Sequence, residues 1–200
     1  MKIILLSITL LLTNFSFSQT SFDYLNNGIA KGELNDYRGA IREFDKAIAL
    51  DPNYVLAYFN RGLSRQLLGN YVGSIKDFNK AIALDPDYSH GYSGRGLSKA
   101  YLQDYRGSIQ DFTKAIALDP NDSDSYSNRG NAKNHLKDFS SAIQDFTKAI
   151  EINPSHSGAY LNRGNAKTQL GDKNGGCLDY SKAGELGNYD AYDMIKSRCN

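Results

Sequence analysis

Arginines recur at Arg61, Arg95, Arg129 and Arg163, and carboxylates at Glu43, Asp77, Asp111, Asp145 and Asp179, with 34 residues between neighbours in either row. A guanidinium and a carboxylate at fixed spacing form charge-assisted, often bidentate hydrogen bonds, which is the chemistry of a structural clamp. Two further basic rows share the interval. One is Lys31, Arg65, Lys99, Lys133 and Lys167; the other is Lys46, Lys80, Lys114, Lys148 and Lys182. Interleaved signs predict ladders of ion pairs within the fold. A track for an acidic polymer would instead need a field of one sign.

Groups able to do covalent or metal chemistry are sparse. His90, His135 and His156 stand at unrelated places in the 34-residue interval, with no metal-like spacing to one another or to Cys177 and Cys199. No serine has a nucleophile-elbow context and no glycine-rich phosphate loop follows a strand. His135, with Tyr101 and nearby polar groups, is the one plausible acid–base player. The chain is expected to be no enzyme and to need no cofactor and no metal.

The elements that carry these rows follow from the same period. Asp51-Pro52, Asp85-Pro86, Asp119-Pro120 and Asn153-Pro154 recur every 34 residues and divide the chain into units 21–54, 55–88, 89–122, 123–156 and 157–190. Within a unit, apolar residues at positions 4, 9 and 14 and then at 17, 21, 24, 28 and 30 form two helical stripes. Gly69-Asn70 and Gly171-Asp172 mark the turn between them, with Asn35-Asp36 and Gln103-Asp104 in the same place. Glycine at position 8 and small residues at position 20 let the paired helices approach. Proline ends the second helix, and Asn53, Asp87, Asn121 or Ser155 after it is placed to cap the next. One hairpin leaves an apolar face bare, so neighbours must stack.

Tyrosine at position 4, glycine at 8, leucine at 14, an aromatic at 24 and alanine at 27 recur in Tyr58, Gly62, Leu68, Phe78 and Ala81 and their equivalents. This pattern resembles the tetratricopeptide repeat (TPR) family. The resemblance implies an all-α fold, a right-handed α-solenoid of five helix-turn-helix repeats. It also implies a concave surface lined by positions 2, 5, 6, 9, 12 and 13 of each first helix. Asn26, Asn60, Asn128 and Asn162 fall at position 6, interrupted by Gly94, with Asn131 and Asn165 at position 9 and Asn134 at position 12. Carboxamides at regular steps offer the donors and acceptors that an extended peptide backbone needs. The alternative is that they satisfy only local hydrogen bonds. Phe22 and Phe59 make the lining apolar toward the first units, and Tyr101 lies centrally. Lysines of the kind that chaperone-tail binders of this family carry at positions 2 and 5 are missing. The implied function is non-catalytic binding of a protein or peptide segment; the rival is a scaffold that self-assembles or belongs to an envelope complex.

Residues 1–18 read as a secretory signal peptide: Lys2, a short apolar run at 3–12, and small residues at Ser16 and Ser18 before Gln19. An uncleaved anchor is the alternative, although the run is short for a bilayer span. The 19–200 remainder is expected to form the repeat domain. Cleavage removes Lys2 alone among charged residues, taking Lys+Arg from 23 to 22 against 22 Asp+Glu. A neutral chain of this kind predicts no nucleic-acid partner and no membrane span after cleavage. The chain resembles small exported TPR proteins of Bacteroidota, which implies a periplasmic or secreted location.

Export permits a disulfide. Cys177 and Cys199 flank a turn at Gly187-Asn188, and residues 189–198 have helical spacing, so a capping helix at 189–199 folding back would bring the two sulfurs together. Unpaired thiols serving as small apolar residues are the alternative. The glycine-rich run 171–177 predicts a weak or late-starting helix in the last unit.

Overall fold

In the computed structural model, which describes residues 19–199, eleven helices follow one another among the described residues. They are α1 (Ser21–Glu33), α2 (Tyr37–Leu50), α3 (Val55–Leu67), α4 (Tyr71–Leu84), α5 (Ser89–Tyr101), α6 (Tyr105–Leu118), α7 (Ser123–His135), α8 (Phe139–Ile152), α9 (Ser157–Gln169), α10 (Lys173–Glu185) and α11 (Asp190–Arg198). Each packs on its neighbours in the chain, and successive odd-numbered helices from α1 to α9 also touch, which makes a solenoid with α11 at its end. The signal-peptide expectation for 1–18 falls outside the described residues. Among those described, no helix is long and apolar enough to cross a membrane.

Each turn inside a hairpin is built the same way. The leucine after the odd helix caps it, and the next residue takes a left-handed conformation: φ is 61° at Asn35, 76° at Gly69, 63° at Gln103, 62° at Lys137 and 89° at Gly171. That conformation lets the following amides close on the helix end, as Asp36 N does on Lys31 O at 2.9 Å. Asp36, Asn70, Asp104, Asp138 and Asp172 then cap the even helices through their side chains. Because Asp172 does this as its equivalents do, α10 starts in register at Lys173 despite its glycines, contrary to the late start expected from sequence.

Two other expectations are corrected. Asn53, Asp87, Asn121 and Ser155 do not cap the next helix. Their backbone amides donate to the side chains of Asp51, Asp85, Asp119 and Asn153 at 3.0–3.1 Å. The Asp/Asn-Pro pair is therefore an Asx turn around the proline, and the capping position falls one residue later, at Tyr54, Tyr88, Asp122 and His156. The position-14 leucines are not core either. Leu34, Leu68, Leu102, Leu136 and Leu170 are 44–81 % exposed, because each odd helix stops one residue before them.

The core is a column of aromatic rings, Phe44, Phe78, Phe112, Phe146 and Tyr180, each essentially without solvent contact. Glycine at position 8 makes room for them. A Cβ on Gly62 would lie 2.8 Å from the Phe78 ring, and one on Gly130 would lie 2.8 Å from Phe146. Gly184, where other units have isoleucine, leaves space for Tyr192 of α11, whose hydroxyl donates to Gly184 O at 3.4 Å. Cys177 and Cys199 are joined by a disulfide that ties α11 across α10.

Candidate functional site

The arginine row and the basic row from Lys31 to Lys167 close on the acidic row; in the row from Lys46 to Lys182 only Lys46 does so, on Glu43, while Lys80 and Lys114 lie over Tyr58 and Tyr92, and Lys148 and Lys182 pair with Glu151 and Glu185. Arg95 donates to both oxygens of Asp111 at 2.9 and 2.6 Å, and Lys99 completes that carboxylate at 2.7 Å. Asp77, Asp145 and Asp179 are held in the same way by Arg61 with Arg65, Arg129 with Lys133, and Arg163 with Lys167. The remaining guanidinium nitrogen reaches back one unit, from Arg61 to Asp45, Arg95 to Asn79, Arg129 to Thr113 and Arg163 to Thr147. Each arginine also lies over the tyrosine three residues before it, at 5.4–5.5 Å. A cation held on three sides has little left to offer a ligand, so these rows lock helices and repeats together.

The odd-numbered helices line a chain of open clefts. One of about 560 Å³ lies across α5, α7 and α9, with Tyr101, Asn128, Asn131, His135 and Asn162 on its walls. Asn131, His135 and Asn162 continue into a second cleft of about 400 Å³ that also holds Asn134 and Asn165. On the other side, Leu97 and Asn128 lead into one of about 300 Å³ beside Phe59, and Leu63 connects that to one of about 280 Å³ beside Asn60. Along one rim the rings pair between units. Tyr71 stacks on Tyr101 at 4.7 Å and Tyr105 on His135 at 4.4 Å, within 12° and 5° of parallel. Large volumes with aromatic walls and convergent neutral polar groups are the usual signs of a binding surface.

The Tetratricopeptide repeat models match residues 55–88, 123–156 and 90–122, and the TPR repeat model matches 32–69, so together they span most of the chain. The chain belongs to the tetratricopeptide repeat family. Proteins of this family are in general non-catalytic modules that bind other proteins. Among solved structures, this TPR chain is similar to MamA protein, at 25% identity over 88% of this chain and 94% of that one, with a TM-score of 0.73. It has the fold of YrrB, described as a TPR protein with an unusual peptide-binding site, at 19% identity over 88% and 91% of the chains and a TM-score of 0.71. It also has the fold of pilF from Pseudomonas aeruginosa, at 18% identity over 88% and 80%, with a TM-score of 0.80. Among curated proteins none matches the chain.

Within the TPR groove the predicted residues separate into groups. Asn128, Asn131, Asn162 and Tyr101 meet in the 560 Å³ cleft, and none of the three carboxamides has a hydrogen-bond partner among the described residues. Two others are engaged: Asn60 Nδ2 donates to Leu56 O at 2.8 Å on its own helix, and Asn165 Oδ1 accepts from the Tyr180 hydroxyl at 3.0 Å. Phe59 lies in the 300 Å³ cleft, which it shares with Asn128 alone among the predicted residues. Phe22 and Asn26 are exposed on α1 and line none of these clefts. The gap in the row at Gly94 has a steric cause, since a Cβ there would lie 2.7 Å from the Phe78 ring.

Sequence alone missed Gln66. It is buried, its amide nitrogen has no hydrogen-bond partner among the described residues, and it lines the cleft beside Phe59. Asn134 Oδ1 is likewise buried without a partner. Both stand at position 12 of their units, which the sequence places on the concave face but cannot show to be unsatisfied. Near Phe59, burial together with the charge of Asp85 pushes the Tyr88 phenol up to about 12.

Proposed function

We propose that the chain is an exported, non-catalytic binding module that holds an extended protein or peptide segment along the groove of its odd-numbered helices. The observation that carries this reading is the set of Asn128, Asn131 and Asn162, three carboxamides without partners among the described residues in one cleft of about 560 Å³. Each offers a donor and an acceptor, as successive peptide groups of an extended chain require. The paired rings on the rim supply flat apolar contact beside them. The fold shared with YrrB, a TPR protein with a peptide-binding site, supports the same reading. Export rests on the signal-like character of residues 1–18.

The test is a crosslinking capture from the native cell envelope with chain 19–200, run beside an Asn128→Ala, Asn131→Ala, Asn162→Ala variant confirmed to be helical. Loss of a specific captured protein in the variant establishes the groove as the working surface. Equal capture by both moves the binding to another face.

A second reading is a scaffold that assembles through its ends. It is favoured by the exposed apolar residues at both termini of the array, Phe22 and Leu34 at one and Leu178 and Tyr189 at the other. Light scattering over a concentration series decides it; a strictly monomeric chain excludes self-assembly.

A further inference from the structure

The cleft beside Phe59 has walls of two chemistries. Phe59, Leu63 and Leu97 form an apolar side, with the His90 ring edge-on to Phe59 at 6.2 Å. Asp119 and Asp122, from the turn between α6 and α7, and Asp124, from the first turn of α7, form the other. No lysine or arginine lines this cleft, although basic side chains alternate with acidic ones over the ladder faces.

The three carboxylates are not equally free. Asp122 caps α7, with its oxygens on Ser125 N at 3.0 Å and Ser125 Oγ at 2.5 Å. Asp119 accepts from Asn121 N at 3.0 Å in its Asx turn. Among the described residues Asp124 has only His156 Nε2 near it, at 3.3 Å and without a hydrogen bond, and keeps 82 % of its side chain exposed, so it has acceptor capacity to give. Its two neighbours add to the negative potential around it.

The second, independent observation is Gln66. It is 9 % exposed, it lines this same cleft, and its Nε2 has no acceptor among the described residues. A buried amide donor without a partner is unfavourable unless a bound group supplies an oxygen.

We propose that this cleft is the subsite for a basic side chain, an arginine or lysine, of the peptide that lies in the groove; the proposal rests on the peptide-groove reading above. The aliphatic stem of such a side chain lies along Phe59, Leu63 and Leu97, as long cationic side chains do on apolar surfaces. Its charged head meets Asp124, and a carbonyl of the peptide accepts from Gln66 Nε2 when that buried amide turns out into the cleft it lines. The next residues of the peptide pass Leu97 and Asn128, which line both this cleft and the larger one, and reach the free carboxamides. Arginine is the better fit, because its planar group both packs on a ring and presents a fork to a carboxylate. The site thereby gives the partner a charge and a direction: the stem of its basic residue lies on the second and third repeats and the charged head at the start of the fourth.

A random-peptide phage library panned on chain 19–200 tests this, with winning peptides then measured by fluorescence anisotropy. The expected result is an excess of arginine or lysine among the winners. Their binding should weaken about tenfold or more with Asp124→Lys and less with Asp124→Asn, while exchanging the peptide's basic residue for glutamate should restore binding to Asp124→Lys. Winners that depend on Asn128, Asn131 and Asn162 but show no basic excess and ignore Asp124→Lys overturn the subsite and leave the groove standing. Winners indifferent to the three asparagines, or no winners, overturn the groove and the subsite with it. Asp124 is exposed and caps no helix, so circular dichroism of its variants is expected to match that of the parent.

Discussion

Arg129 grips Asp145 across the helix pair of its own repeat, Nε to Oδ2 at 2.9 Å and Nη2 to Oδ1 at 2.7 Å, while its third nitrogen holds Thr113 of the repeat before. One side chain thus fixes both the hairpin and the stacking of hairpins. The same arrangement at Arg61, Arg95 and Arg163 repeats this lock along the solenoid.

Removing the acidic member of this lock is expected to cost more than removing an ordinary surface charge. Asp145→Ala leaves Arg129 and Lys133 facing each other in a partly buried site without their counter-ion. The loss should be about 3 kcal/mol, read as a lower urea midpoint. A change under about 0.5 kcal/mol, the range of surface substitutions, would contradict the structural role of the ladder.

At the first repeat the same position is Glu43, whose pKa is lowered below the ordinary glutamate value. The largest cause is its hydrogen bond from Lys31 at 2.6 Å; burial opposes the shift, and Lys46 adds to it. A lowered folded-state pKa means that this contribution is complete above about pH 4.3, the unfolded glutamate value, and fades as pH falls toward the folded one. The gap in melting temperature between the parent and Glu43→Gln should therefore be widest near neutral pH and shrink below pH 4.3. A gap that widens on acidification would reverse the sign.

Gly94 breaks the asparagine row because the Phe78 ring fills the space that a side chain would take. Gly94→Ala is expected to destabilise by about 1–3 kcal/mol through overpacking, even though alanine is the better helix former. Thermal denaturation distinguishes the two effects, since a gain in stability would mean that propensity outweighs the steric contact.

Cys177 and Cys199 close a loop with a sequence separation of 22. Their removal by Cys199→Ser, or by reduction, should lower stability by about 3 kcal/mol. Hydrogen exchange should rise first in α11, where Ala191 alone is fully buried. Unchanged protection of α11 after reduction would show that its packing on Gly184 suffices.

Much of this fold was legible in the sequence because its determinants are local and repeated. The interval of 34 residues, the prolines and the small residues at fixed places specify two helices per unit, and an identical unit must bury its face on its neighbour. The basic and acidic rows could also be paired, since residues equidistant from a turn in an antiparallel hairpin lie opposite one another. Two local signals misled. Polar residues after each proline resemble caps, but the preceding side chain takes their amides into a tight turn. The recurrent leucines fit an apolar stripe, yet each odd helix ends just before them.

What the sequence by itself determined, then, is the architecture: all-helical hairpins in register, the arginine–carboxylate rows, and two cysteines placed about a final turn. Tertiary structure alone decided which groove residues are available. Asn60, Asn128, Asn162 and Asn165 look alike as carboxamides on the concave face, but of these only Asn128 and Asn162 have no partner among the described residues, while Asn60 bonds to its own helix and Asn165 to a ring from the neighbouring one. The same holds for Gln66, whose missing partner is a property of everything packed around it. The physical reason is one of range: helices and turns follow from contacts a few residues apart, whereas hydrogen-bond satisfaction at a surface depends on groups brought together by stacking.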